Sequence, residues 1–73
     1  MKLTGIVKWF NRLKGYGFIQ RDDDGLEVFA HYSDIEGDGY RNLYEGDKVE
    51  FDLADDGRGP KATHIRTKKS YGS

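Results

Sequence analysis

The sequence has 73 residues, 36% of them hydrophobic and 34% charged, with no cysteine. That composition fits one small soluble domain held by a single core, and it excludes a membrane span, a disulfide framework and a thiolate metal site. The formal net charge is −1, from 12 Lys+Arg against 13 Asp+Glu, which argues against a domain that grips a polyanion by bulk positive charge.

Glycines and the pairs Asp24-Gly25, Asp56-Gly57 and Gly59-Pro60 divide the chain into short pieces rich in Val, Ile, Phe and Tyr, so strands are predicted rather than helices. The first runs from Leu3 to Phe10. Strict alternation puts Ile6, Lys8 and Phe10 on one side and Val7 and Trp9 on the other. Neither row is cleanly polar or apolar, and a bulge bringing Lys8 and Trp9 to one face is the alternative. In the second strand Ile19 takes the core side, and Lys14, Tyr16 and Phe18 lie opposite. Arg21 to Gly25 is a short connection, so the second and third strands are expected to pair as a hairpin.

The third strand has Leu26, Val28 and Ala30 as its core row and Glu27, Phe29 and His31 as its outward row. Tyr32 to Glu45 is too long for a tight turn; one turn of 3₁₀-helix near Ser33 to Ile35, then a long loop, is expected. In the fourth strand Val49, Phe51 and Leu53 face the core. Ala62 to Thr67 forms the fifth. Five short strands without a helix predict a closed or nearly closed barrel, which also removes exposed sheet edges.

The outward rows carry the functional signal. If the second and third strands pair, Tyr16, Phe18, Phe29 and His31 form one patch edged by Lys14. Any single ring could simply be core. Four rings opposite two aliphatic rows read better as an interaction face. Flat rings beside a few cations suit single-stranded nucleic acid, whose unpaired bases offer π-faces and whose phosphates need positive neighbours.

Other motifs are weaker. Asp22-Asp23-Asp24-Gly25 lacks the alternating oxygen ligands and closing Glu of a calcium loop, and reads as an acidic turn. His31 and His64 have no partner at metal-ligand spacing, so neither metal nor cofactor is expected. No nucleophile–base arrangement suggests an enzyme or a small-molecule substrate. Arg66, Lys68 and Lys69 read as a solvated, frayed terminus rather than a phosphate-binding arm.

Three stretches, Gly5-Ile6-Val7-Lys8-Trp9-Phe10-Asn11, Lys14-Gly15-Tyr16-Gly17-Phe18-Ile19 and Val28-Phe29-Ala30-His31-Tyr32-Ser33, closely resemble the bacterial cold-shock proteins. Gly37-Asp38-Gly39-Tyr40, Leu43-Tyr44-Glu45-Gly46 and Gly57-Arg58-Gly59-Pro60-Lys61-Ala62 resemble later parts of the same family. The similarity runs from about Gly5 to Ile65. It implies an all-β, five-stranded antiparallel oligonucleotide-binding barrel over residues 1–68, with a frayed tail at 69–73. It also implies a cytoplasmic, monomeric binder of single-stranded RNA and DNA that acts as an RNA chaperone and modulates transcription and translation. Matched residue by residue, the family's nucleic-acid contacts fall on Lys8, Trp9, Lys14, Tyr16, Phe18, Phe29, His31, Tyr32, Tyr40 and Arg58. Trp9, Phe18, Phe29, His31 and Tyr40 are expected to stack on bases; Lys8, Lys14 and Arg58 are expected to reach phosphates or base edges. That assignment favours the bulge in the first strand. Tyr16, Tyr32 and Tyr40 stand where many members carry Phe, and Ala30 where Val is common. The rival expectation is a small protein-interaction module using the same patch.

Overall fold

The computed structural model describes residues 2–36, 43–55 and 57–67. Strands β1 (Lys2–Asn11), β2 (Tyr16–Arg21), β3 (Glu27–His31), β4 (Lys48–Asp55) and β5 (Pro60–Thr67) close into a barrel in the order β1-β2-β3-β5-β4. Neighbours pair antiparallel except at the closing seam, where β3 meets β5 in parallel through Phe29 and Lys61. A 3₁₀ turn over Tyr32–Asp34 follows β3, one residue earlier than the sequence suggests.

The inward rows supply the core. Val7, Ile19, Val28, Ala30, Val49, Phe51, Ala62 and Ile65 are buried, and Ile35 and Leu43 close over them. Phe51 is the fully buried aromatic side chain among the described residues, with Phe10 partly buried against the cluster. Burying a ring of that size contributes about 2–3 kcal/mol. Gly5 also faces inward, where a Cβ would come within 2.7 Å of Ile19 Cγ2.

Two bulges set which residues face inward. In β1, Val7 pairs with Ile19 and Trp9 with Phe18, so Lys8 is the extra residue. Gly5 and Val7 therefore point into the barrel on odd positions, and Phe10 points in on an even one. This explains why neither row of strict alternation is clean. In β5, Arg66 pairs with Glu50 and Thr63 with Asp52. Phe51 thus faces two residues, and His64 takes the left-handed backbone angle (φ 51°) that lets Ala62 and Ile65 both turn inward.

Two expected core residues lie outside the core. Leu26 precedes β3 and is 59% exposed. It belongs to the hairpin connection, its N–H donating to Asp24 Oδ1 at 3.1 Å and its carbonyl accepting from Arg21 N at 2.9 Å. Leu53 pairs with the buried Ala62, but near the end of β4 where the barrel opens, and it is 40% exposed. Alternation continues there after the enclosing strands have ended.

Candidate nucleic-acid interface

The outward rows of β1, β2 and β3 form one sheet surface. Tyr16 pairs with His31 and Phe18 with Phe29, while the β1 bulge sets Trp9 opposite Phe18. Six rings link in sequence across this surface. Trp9 lies 5.7 Å from Tyr16 and 5.5 Å from Phe18 between ring centroids. Phe29 lies 5.9 Å from Tyr16 and 5.8 Å from Phe18. His31 follows Phe29 at 6.5 Å and Tyr32 follows His31 at 4.8 Å. The ring pairs range from stacked to edge-on, as aromatic quadrupoles favour. Trp9 at 42% and Phe29 at 36% keep ring faces open to solvent.

Local backbone geometry holds these rings in place. Gly17 sits under the first strand, where a Cβ would lie 2.7 Å from Phe10 Cα. A side chain there would push β1 off β2 and separate Trp9 from Phe18. The β1–β2 turn is closed by Asn11, whose Oδ1 accepts from the N–H groups of Leu13 and Lys14 at 3.0 and 2.9 Å. Gly15 completes that turn at φ 77°, its Cα edge against the Tyr32 ring, and its carbonyl accepts from Tyr32 N at 2.8 Å. His31 Nδ1 accepts from Ser33 N at 3.2 Å, which fixes the imidazole plane beside Tyr32.

Hollows flank the row of rings. One, of about 520 Å³, is lined by Phe18, Glu27, Phe29, Arg58, Gly59, Pro60 and Lys61. Another, of about 270 Å³, lies around Arg12, Lys14, Gly15 and Tyr32. The ion pairs among the described residues hold Arg21, Lys48, His64 and Arg66 against carboxylates. None of them includes Lys8, Lys14 or Lys61. These three lysines thus keep their charge available, although the chain as a whole is slightly acidic.

A surface of this kind admits unpaired bases to its rings and phosphates to its rim. The comparisons with known proteins point to nucleic acid. Residues 3–68 match the family model of the 'Cold-shock' DNA-binding domain. The chain belongs to the cold-shock domain family. It is 48% identical over 66 residues to a cold shock-like protein of Aquifex aeolicus, covering 90% of this chain and 94% of that one. It is 54% identical over 63 residues to the cold shock-like protein CspC of Bacillus cereus, covering 86% and 95%. Cold shock-like protein CspB of Escherichia coli is 48% identical over 64 residues, covering 88% and 90%. A solved structure, drosophila Unr CSD456, superposes with a TM-score of 0.78 at 20% identity, covering 94% of this chain and 27% of that one. The family is one of nucleic-acid-binding, non-enzymatic domains.

This cold-shock domain brings together most of the residues expected from sequence. Trp9, Tyr16, Phe18, Phe29, His31 and Tyr32 form the row of rings. Lys8 stands exposed at the bulge and Lys14 in the β1–β2 turn, while Arg58 lines the larger hollow. Tyr40 lies outside the described residues. Lys61 was not among the expected residues, because its place beside Phe29 depends on the β3–β5 seam between distant parts of the chain. The family match extends to residue 68, past the stretch from Gly5 to Ile65 over which the resemblance was read. Arg66 accordingly belongs to β5 rather than to a tail, and pairs with Glu36 at 3.7 Å.

The acidic tip of the β2–β3 hairpin is largely committed within the domain. Thr4 Oγ1 donates to Asp22 Oδ2 at 2.7 Å, and Lys48 Nζ approaches the same oxygen at 3.4 Å. The Thr4 hydrogen bond, then Lys48, holds the Asp22 carboxyl below the usual carboxylate range. Arg21 lowers Asp23 in the same way, mainly through its hydrogen bond at 3.1 Å. Among the described residues no group of His, Asp and Glu side chains is arranged to hold a metal ion, and no helix is long and apolar enough to cross a membrane.

Proposed function

We propose that the domain binds single-stranded RNA and DNA on the aromatic surface of β1–β3 and acts as an RNA chaperone, with effects on transcription and translation. The observation that carries this reading is the continuous row from Trp9 to Tyr32, with Lys8, Lys14 and Lys61 beside it and in no ion pair among the described residues. Trp9, Phe18, Phe29 and His31 stack on bases, with Tyr40 as a further stacking residue; Tyr16 and Tyr32 extend the platform. Lys8, Lys14 and Arg58 meet phosphates or base edges. Duplexes bury their base faces, so stacking selects for single strands.

The mechanism consumes no chemical energy. A protein that binds the open strand and not the paired one draws the pairing equilibrium open by mass action. Each stacked base contributes about 1–3 kcal/mol, so a few bases offset the pairing of a short stem. The domain works as a cytoplasmic monomer in this account. A protein-docking role for the same surface predicts no response to nucleic acid at all.

A labelled RNA hairpin tests the chaperone role. Its melting midpoint should fall as protein is added in excess, without nucleoside triphosphate. An unchanged midpoint at saturating protein would refute it.

A further inference from the structure

We propose that the hollow at the β1–β2 turn anchors a terminal phosphate of the bound strand, an inference that rests on the single-strand-binding reading above. This hollow, of about 270 Å³, is lined by Phe10, Arg12, Leu13, Lys14, Gly15 and Tyr32. Tyr32 is the last of the linked rings and joins the row through His31. A strand that follows the rings past His31 therefore brings one of its ends to this place. The turn is pinned to the same ring. The Gly15 carbonyl accepts from Tyr32 N at 2.8 Å, and the Gly15 Cα edge lies against the Tyr32 side chain.

Among the described residues the lining carries two cations and no carboxylate. Arg12 and Lys14 enter no ion pair there. The Arg12 guanidinium lies 5.9 Å from the centroid of the Tyr44 ring, a contact that holds the arm without neutralising its charge. The backbone donors of the turn are spent internally. Leu13 N and Lys14 N donate to Asn11 Oδ1, and Gly15 N donates to the Asn11 carbonyl at 2.7 Å. Holding an anion here thus falls to the Arg12 and Lys14 side chains, and Arg12 is absent from the contacts assigned above.

Phosphates inside a strand and at its ends differ in what they offer such a pair. An internal phosphodiester carries one negative charge, which a single cation answers. A terminal phosphomonoester carries about −1.5 to −2 at neutral pH and keeps three unesterified oxygens. A guanidinium engages two of those oxygens side by side, and an ammonium meets the third as a point charge. Two cations with no carboxylate between them therefore match the doubly charged end group better than any phosphate along the chain. The same group can stand at the 5′ or the 3′ end, and the experiment separates the two.

The test is a Trp9 fluorescence titration of the full chain with thymine hexamers that carry no terminal phosphate, a 5′-phosphate or a 3′-phosphate. One of the two phosphorylated forms should bind about tenfold tighter than the plain hexamer, the scale of one charge-assisted contact. The other should stay within about twofold of it. Capping the favoured phosphate as its methyl ester, which removes the second charge, should lose most of the gain. Arg12→Gln should bring the favoured and plain hexamers within about twofold of each other and leave binding of the plain hexamer close to that of the parent. No gain at either end, equal gains at both, a gain that survives the methyl ester, or a gain that survives Arg12→Gln would each overturn the proposal. Failure of the plain hexamer to bind would instead overturn the single-strand reading beneath it.

Discussion

Phe29 is the ring through which the surface is joined. It lies within 6.5 Å, centroid to centroid, of Tyr16, Phe18 and His31, and it pairs across the barrel seam with Lys61. It is also 36% exposed, on the face opposite the buried Val28 and Ala30. Its removal therefore takes away a stacking platform without opening a cavity in the core. Phe29→Ala should weaken oligo-dT binding by roughly 5- to 100-fold, the equivalent of one lost stacked base, with the far-UV spectrum and cooperative melting retained. A folded variant that binds like the parent would show that the rings of β2 and β3 are not the platform. Phe29 was legible from sequence because β2 and β3 pair without a bulge, so period-two alternation sorted the side chains that pair across the hairpin, Tyr16 to Gln20 against Glu27 to His31. Lys61 was not legible, since no local pattern announces a parallel contact between strands some thirty residues apart.

Within the elements, register decides what each strand presents. The bulge at Lys8 adds one residue to β1, and both Lys8 and Trp9 then meet solvent while Val7 and Phe10 meet the core. Alternation alone leaves that strand undecided, because a bulge has no obligatory residue signature. The bulge at His64 went unread for the same reason. Leu26 and Leu53 were misplaced for a different one: the pattern persists beyond the ends of the barrel, where enclosure stops. A second kind of register lock joins β1, the β2–β3 hairpin and β4 through Thr4, Asp22 and Lys48. The folded-state Asp22 carboxyl is lowered, so its contribution is complete above the ordinary carboxylate range and fades as pH falls through the lowered folded value. Thr4→Val should reduce the melting temperature by a few degrees at neutral pH, given how exposed the group is. That gap should close as the medium is acidified below the carboxylate range. Thermal melts across acidic pH check this, and a gap independent of pH would show that Thr4 acts through packing alone.

At the scale of the whole molecule, a chain with net charge −1 is arranged to meet a polyanion. Carboxylates and cations away from the rings largely answer one another, as at Arg21 with Asp23 and Arg66 with Glu36. Lys8, Lys14 and Lys61 enter no ion pair among the described residues and keep their charge for a ligand. Affinity should then come mainly from stacking, and the electrostatic share should be small. If Lys8, Lys14 and Arg58 each neutralise one phosphate, log K should fall against log salt with a slope of about −2. The most direct test follows Trp9 fluorescence while the protein is titrated with oligo-dT and with a matched duplex at two salt concentrations. The account predicts quenching by the single strand at micromolar concentration or below, little response to the duplex, and that shallow salt dependence. Equal binding to both forms, or binding to neither, would contradict it.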